Sequence, residues 1–486
     1  MDDTTGIRTM KPAHRGEPPA QWVPGAAPPA AEPVVAAASV VSVIPHPPTE
    51  PAVSPRTDPP VTTAPPVATT APQITATAPP LATATPPVTA TAPSGLHATA
   101  ILLLGYAILI TGNGLLGTLI SLRLIQQHAP SIVVGVVQSA YYVGFMVGAL
   151  WGGALIGRVG HHRAFVTFAA ASACCALGYA VWNEAAVWVA LRFVTGFCLV
   201  GIFTVVESWL HQVASNAHRG RVFSAYLITN YLGVGTGQFL IGLADPASFM
   251  LFSVVSALFS ASLIPVALAG NMPAAQSHRT GGSKLALGIS GLRTVAAWAP
   301  LGLIGCAASG MLNSAFYTMQ PVFMRRLGYP VTDVAHFMGF ALLAALLPQW
   351  PVARLADRFD RRRIVFAITV ICAVCSALLF VMPGGTLLDV LGYVYVGLAF
   401  SLYGVIGSYV NDCIPADQRI AVSAGLLLIF SLGASGGPTL ASAAMSMAGP
   451  AGLYLFTALV TGALAVLTLR SLRMEHRSRV ASLPVD

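Results

Sequence analysis

The stretch GALIGRVGHHR at 153–163 decides the fold, because it returns 200 residues later as ARLADRFDRRR at 353–363. Each is a short basic turn between two long apolar runs. The echo continues at the same offset: LGVGTG at 232–237 answers LGASGG at 432–437, and Arg219 answers Arg419. A duplicated apolar chain with basic punctuation implies a membrane protein made of two parallel halves.

Working outward, apolar runs of bilayer-crossing length fall at about 97–122, 133–156, 164–183, 186–210, 221–243, 249–269, 294–318, 332–353, 364–383, 386–410, 420–446 and 451–471. They give twelve predicted spans. The predicted organisation is an N-terminal six-helix bundle at 96–269, a polar central loop at 270–293, a C-terminal bundle at 294–472 and a tail at 473–486. Composition agrees: the chain is 55% hydrophobic and only 9% charged, against roughly 25% charge in soluble domains. An all-α integral membrane fold in a lipid bilayer is expected. Residues 1–95 differ in kind, a Pro/Ala/Thr-rich segment whose composition suits a disordered tail and lacks the plan of a signal peptide.

Most of the basic residues fall in loops on one side, while the other side holds Arg123, Arg325 and Arg326. Positive-inside bias then puts both termini in the cytoplasm. The net charge of +8 is spread over short loops, so no nucleic-acid partner is expected. The seven cysteines lie almost entirely in apolar runs and read as small hydrophobes. Cys372 and Cys375 have the spacing of a redox pair without a neighbouring His or charge, so no metal or cofactor is assigned. The Gly-rich runs lack a following Gly-Lys-Ser/Thr, which excludes a phosphate loop and an ATP-driven pump. No enzyme activity is expected.

The loop motifs, the twelve spans and the repeat resemble the major facilitator superfamily. The family's loop between spans 2 and 3 has the form Gly-x-x-x-Asp-Arg-x-Gly-Arg-Arg/Lys. Gly153, Arg158, Gly160 and Arg163 match it, with Gly157 in place of the Asp. The second copy carries Asp357, Arg358 and Arg361–Arg363, with Asp360 in place of the Gly. In span 4, Arg192 to Gly196 is similar to the family's Arg-x-x-Gln-Gly motif, with Thr195 for Gln. The resemblance implies two pseudo-symmetric six-helix bundles that rock about a midplane site, and a monomer. It also implies a cytoplasmic latch formed by Arg158, Gly160, Arg163, Asp357, Arg358 and Arg363. Glu207, near the cytoplasmic end of span 4, is read as the missing acid of the first copy.

Deep charges are expensive in a span and mark function. Arg192 is therefore the leading binding or coupling candidate. Its distance from Glu207, 15 residues or about 22 Å of helix, prevents their pairing. Gln138 and Tyr141 share a face of span 2, Asn313, Tyr317 and Gln320 share a face of span 7, and Asn113 and Tyr403 are further candidates for a polar, aromatic-walled cavity. The predicted function is secondary transport of a small solute across a bacterial inner membrane by alternating access. Protons are the candidate coupling ion, and a neutral or amphipathic solute is favoured. The alternative is a transporter-like sensor or scaffold working through its Pro-rich tail.

Overall fold

The computed structural model describes residues 95–213, 219–268 and 284–481. The Pro-rich tail, and with it the scaffold alternative, lies outside the described residues. The first half comprises α1 (Gly95–Gln126), α2 (Ser131–Val159), α3 (His161–Val181), α4 (Ala185–Val213), α5 (Arg219–Phe239, extended by a 3-10 turn at Leu240–Leu243), α6 (Met250–Ala261) and α7 (Leu263–Leu268). The second comprises α8 (Lys284–Trp298), α9 (Pro300–Arg326), α10 (Val331–Ala344), α11 (Gln349–Arg358), α12 (Arg361–Val381), α13 (Thr386–Cys413), α14 (Arg419–Ala448) and α15 (Gly452–Ala481). Ten helical stretches among the described residues are long and apolar enough to cross a membrane, taking α6 with α7 and α10 with α11. The count of twelve rests on two more, α5 and α9, whose asparagines and glutamines make them the more polar helices.

The repeat is kept in the backbone. α2 and α10 begin at Ser131 and Val331, α3 and α12 run His161–Val181 and Arg361–Val381, and α5 and α14 begin at Arg219 and Arg419. The paired Gly-rich runs do the same mechanical work. A Cβ on Gly237 would stand 2.2 Å from the Thr111 carbonyl oxygen, and one on Gly437 2.5 Å from that of Met311. Only glycine lets α5 lie against α1, and α14 against α9, at that distance.

Three expected spans are broken, and the breaks fall near proline, which removes a helix hydrogen bond. α8 stops at Trp298 and α9 restarts at Pro300. α10 and α11 are separated by a turn ending at Pro348. α6 and α7 part at Ser262, with Pro265 three residues on. Two expected boundaries also move. The central loop was expected to run to 293, yet α8 is helical from Lys284, because Gly288 and Gly291 let it lie on Ala421 and Gly425 of α14. The tail expected from 473 continues α15 to Ala481.

The two loop motifs turn by different chemistry. Gly160 sits at φ 86°, ψ 157°, a conformation essentially reserved for glycine. Asp360, at the matching place, has φ −53° and caps α12 by accepting the Arg362 backbone N–H at 2.9 Å. The Asp that replaces the family's Gly is therefore an N-cap.

Candidate functional site

A cavity of about 190 Å³ lies where the halves meet. From the first half it is walled by Asn113 and Thr118 of α1, Tyr141 and Tyr142 of α2, Arg192 and Phe203 of α4, and Asn230, Tyr231 and Gln238 of α5. The second half supplies Asn313, Ser314 and Tyr317 of α9, Phe400 of α13, and Phe430 and Ser431 of α14. Amides and hydroxyls thus alternate with aromatic faces, the composition of a site that holds a ligand by a few directed bonds and apolar contact. Drug-sized ligands occupy pockets of about 300–1,000 Å³, so this one is small.

Arg192 is the charged group of the wall. It is 3% exposed, its Nε donates to Gln138 Oε1 at 3.1 Å, and its Nη2 donates to the same oxygen. The guanidinium carbon stands 4.8 Å from the centre of the Tyr141 ring, within cation–π range. No carboxylate oxygen lies within 4.0 Å of it among the described residues.

Of the residues singled out in the sequence, Arg192, Asn113, Tyr141, Asn313 and Tyr317 are all on the cavity wall. Gln138 is not. Its amide is fully buried behind Arg192 and is consumed there: Nε2 donates to the Gly117 carbonyl at 2.8 Å and to Ser121 Oγ at 2.6 Å. Gln138 orients the arginine and ties α2 to α1. Tyr403 is also off the wall, its ring centre 4.9 Å from that of Phe430, which does line the cavity. Gln320 leaves the shared face and accepts the Tyr454 hydroxyl at 2.9 Å. Tyr231, Phe203, Phe400, Phe430 and Ser431 were not foreseen. The one signal available was that Tyr231 adjoins Asn230 directly before the Gly-rich run.

The loop residues also have definite partners. Arg361 pairs with Asp357 at 3.7 Å and with Asp412 at 3.1 Å, and Arg362 with Asp360 at 3.2 Å. These pairs stay within the second half. Arg158 and Arg163 have no ion pair among the described residues. Glu207, 3% exposed, accepts the Tyr226 hydroxyl at 3.2 Å rather than meeting a loop arginine. Tyr226 packs on Tyr106 with ring centres 4.9 Å apart, and the Tyr106 hydroxyl donates to Asn230 Oδ1 at 2.9 Å. A line of polar groups therefore runs from Glu207 to the cavity wall.

Between the halves, four hydrogen bonds occur among the described residues. Ser121 Oγ donates to the Thr318 carbonyl at 2.9 Å, Ser139 and Thr439 share a bond of 2.8 Å, and Arg326 Nη2 donates to the Ala129 carbonyl at 3.3 Å. These three lie toward the Ala129 end, where a Cβ on Gly135 would also stand 2.1 Å from Ser442 Oγ. The fourth, Gln349 to Tyr231 at 3.3 Å, is near the middle.

The sequence pattern of the Major Facilitator Superfamily matches residues 102–410. An uncharacterized MFS-type transporter of Escherichia fergusonii, YcaD, is 29% identical over 77% of this chain and 95% of its own. A second, YE1530 of Yersinia enterocolitica, is 28% identical over 71% and 88%. Among solved structures, a mutant of the nucleoside transporter NupG aligns with a TM-score of 0.68 at 14% identity, covering 77% of this chain and 99% of that one. A bacterial homolog of the human lysosomal transporter Spinster, inward-facing and occupied, aligns with a TM-score of 0.63 at 13% identity over 78% and 97%. At such identities the structures speak for the fold alone. With most of its membrane part matched by the family pattern and the duplicated helical plan in place, the chain belongs to the Major Facilitator Superfamily and is a multi-pass membrane transporter.

Proposed function

We propose that the chain carries a small solute across the bacterial inner membrane by alternating access, as two bundles of six spans rocking about the cavity. The observation that carries this reading is the one-sided closure between the halves. Among the described residues, three of the four hydrogen bonds between them lie toward the Ala129 end, while the loop pairs at the other end stay inside one half. Hydrogen bonds between helices in a membrane are worth about 0.6 kcal/mol each. The three bonds at that end together contribute about 2 kcal/mol, small enough for the opposite state to be populated. The arginine bias makes the Ala129 end extracytoplasmic and both termini cytoplasmic, so the described state faces inward. The loops around Arg158, Gly160, Arg163, Asp357, Arg358 and Arg363 then form the cytoplasmic latch, which engages on switching. The working unit is a monomer. Glu207 serves as the acid for proton coupling in this reading, which the run of Tyr226, Tyr106 and Asn230 between it and the cavity supports.

The test needs no substrate. Ser139→Cys, placed in a background with the exposed Cys174 replaced by Ser, sits in the closed seam. In right-side-out vesicles a membrane-impermeant maleimide should label it slowly and to completion as the outer end opens. Adding Thr439→Cys and oxidising should block that labelling, and reductant should restore it. A Ser139→Cys thiol that stays unlabelled for hours in folded protein would refute alternating access.

A further inference from the structure

We propose that the transported solute is a small hydroxy-carboxylate, with its anionic group on Arg192 and its hydroxyl donating to Asn313. The proposal rests on the transport reading and names the class of substrate that the same cavity takes.

The first argument is charge. A guanidinium has five N–H donors. Two bonds go to the neutral amide oxygen of Gln138, and the remaining donors have no hydrogen-bond partner among the described residues. A cation held inside a span costs several kcal/mol unless it is partnered or wet. Glu207 cannot neutralise it, being about 22 Å away along the same helix. None of the side chains walling the cavity is a carboxylate. A planar anion meeting the free edge of Arg192 would form charge-assisted, bidentate bonds, with Gln138 fixing the angle of the fork.

The second argument comes from the opposite half. The Asn313 Oδ1 atom is buried and has no hydrogen-bond partner among the described residues, although Asn313 is on the cavity wall. An amide oxygen accepts and never donates. Leaving one unpaired costs about 1–3 kcal/mol, which a donor on the ligand recovers. The donor is a hydroxyl rather than an ammonium, because an ammonium would meet Arg192 in the same small space with no carboxylate to balance it. One charged contact on the first half and one hydrogen bond on the second also let the solute bridge the two bodies that must move together.

The third argument is size. About 190 Å³ is below the roughly 300–1,000 Å³ of drug-sized pockets. Tyr317, Phe400 and Phe430 close one side of it with apolar rings, which suit a short carbon skeleton. A neutral solute would leave the free edge of Arg192 without a counter-charge.

The experiment is a thermal-unfolding titration of the purified full-length chain in detergent with probes that differ by one feature. The series runs from glycolate through glycerate to gluconate, with propionate as the anion without a hydroxyl and glycerol as the polyol without a charge. A member of the series should raise the melting temperature through preferential binding to the folded state, propionate should raise it less, and glycerol should not. Arg192→Gln should abolish the shift. Asn313→Ala should reduce the best hydroxy-carboxylate to the level of its unhydroxylated counterpart. If Arg192→Gln does not elute as a monodisperse species, Arg192→Lys keeps the charge but loses the fork, and the apparent Kd should rise about tenfold or more. The proposal is overturned if glycerol matches the anions, if the shift survives in Arg192→Gln, if Arg192→Lys binds as wild type, or if no member of the series stabilises the wild-type chain. The Ser139→Cys labelling test uses no ligand, so any of these failures would leave alternating access standing.

Discussion

The two halves share a backbone and differ in chemistry. At an offset of 200, Arg192 faces Gly392, Gln138 faces Met338, Glu207 faces Gly407 and Tyr226 faces Leu426. The first half carries the buried arginine, its orienting amide, the buried acid and that acid's tyrosine. In the second, the Phe337 ring lies so close to Gly392 that a Cβ there would be 2.7 Å away. A ring fills the space on one side that a guanidinium takes on the other. What is duplicated is mechanical: small residues at the α1–α5 and α9–α14 crossings and the basic turns. What is not duplicated is this set of buried polar and charged groups. Repetition keeps the close helix crossings, and divergence places the buried polar groups in one half.

The largest expected effect tests the mechanical symmetry. Gly237→Val and Gly437→Val should each cost about 3 kcal/mol or more through overpacking against backbone, read as a large fall in melting temperature and in yield of monodisperse protein. A fall in only one would break the equivalence of the two crossings. Next come the loops. Gly160→Asp places a side chain in a glycine-only conformation and should cost about 1–3 kcal/mol. Asp360→Gly removes a cap, and with glycine as the replacement only a few tenths are lost. Thermal unfolding of both variants should show this asymmetry, and equal losses would mean that the two turns are interchangeable.

Smaller again is Gly407→Ala. A Cβ there meets nothing within 4 Å, so relief of the glycine helix penalty should stabilise by about 0.5–1 kcal/mol. Proton coupling through Glu207 would make outer opening pH-dependent, so Glu207→Gln at the matching site should flatten the pH profile of Ser139→Cys labelling once each rate is divided by that of a free thiol at the same pH. The smallest effect lies where the repeat fails: α5 ends in a loop carrying Asp245, while α14 runs unbroken past Met445. The Ala247 N–H at 2.8 Å and the Gln126 amide at 3.0 Å hold the Asp245 carboxyl below the usual carboxylate range. A depressed value means that the stabilisation is present above the unfolded pKa and is lost as pH falls through the folded one. Melting temperatures of wild type and Asp245→Asn should therefore differ slightly and constantly above about pH 5 and converge below about pH 3.

Much of the site was legible because polar groups stand out in apolar spans. Arg192, Asn113, Tyr141, Asn313 and Tyr317 could be picked out one by one, since each would be costly facing lipid. Gln138 and Gln320 could be picked out too, but not placed. Helical periodicity says which residues share a face, not which neighbour the face meets. One turned out to hold Arg192, and the other Tyr454. Phe400, Phe430 and Ser431 gave no signal, because apolar and small residues inside a span look alike whether they face lipid, a helix or a cavity. The span breaks at Pro300 and Pro348 were written in the sequence, but proline is tolerated inside α9 at Pro321 and inside α14 at Pro438, so its presence alone does not mark a break.

The sequence by itself determined the membrane class, the duplicated plan and the presence of one deep arginine and one deep acid. Hydropathy, charge bias and repeats are properties of the chain read along its length. Only the tertiary structure decided that Arg192 meets a neutral amide instead of a carboxylate. It alone joined Glu207 through two tyrosines to Asn230, left the Asn313 Oδ1 atom without a partner among the described residues, and set three of their four inter-half hydrogen bonds toward one end. Each of these depends on contacts between residues from about 20 to 300 positions apart. Packing distances on which of two helices a side chain touches are fixed by how whole bundles settle, and no local pattern carries that information.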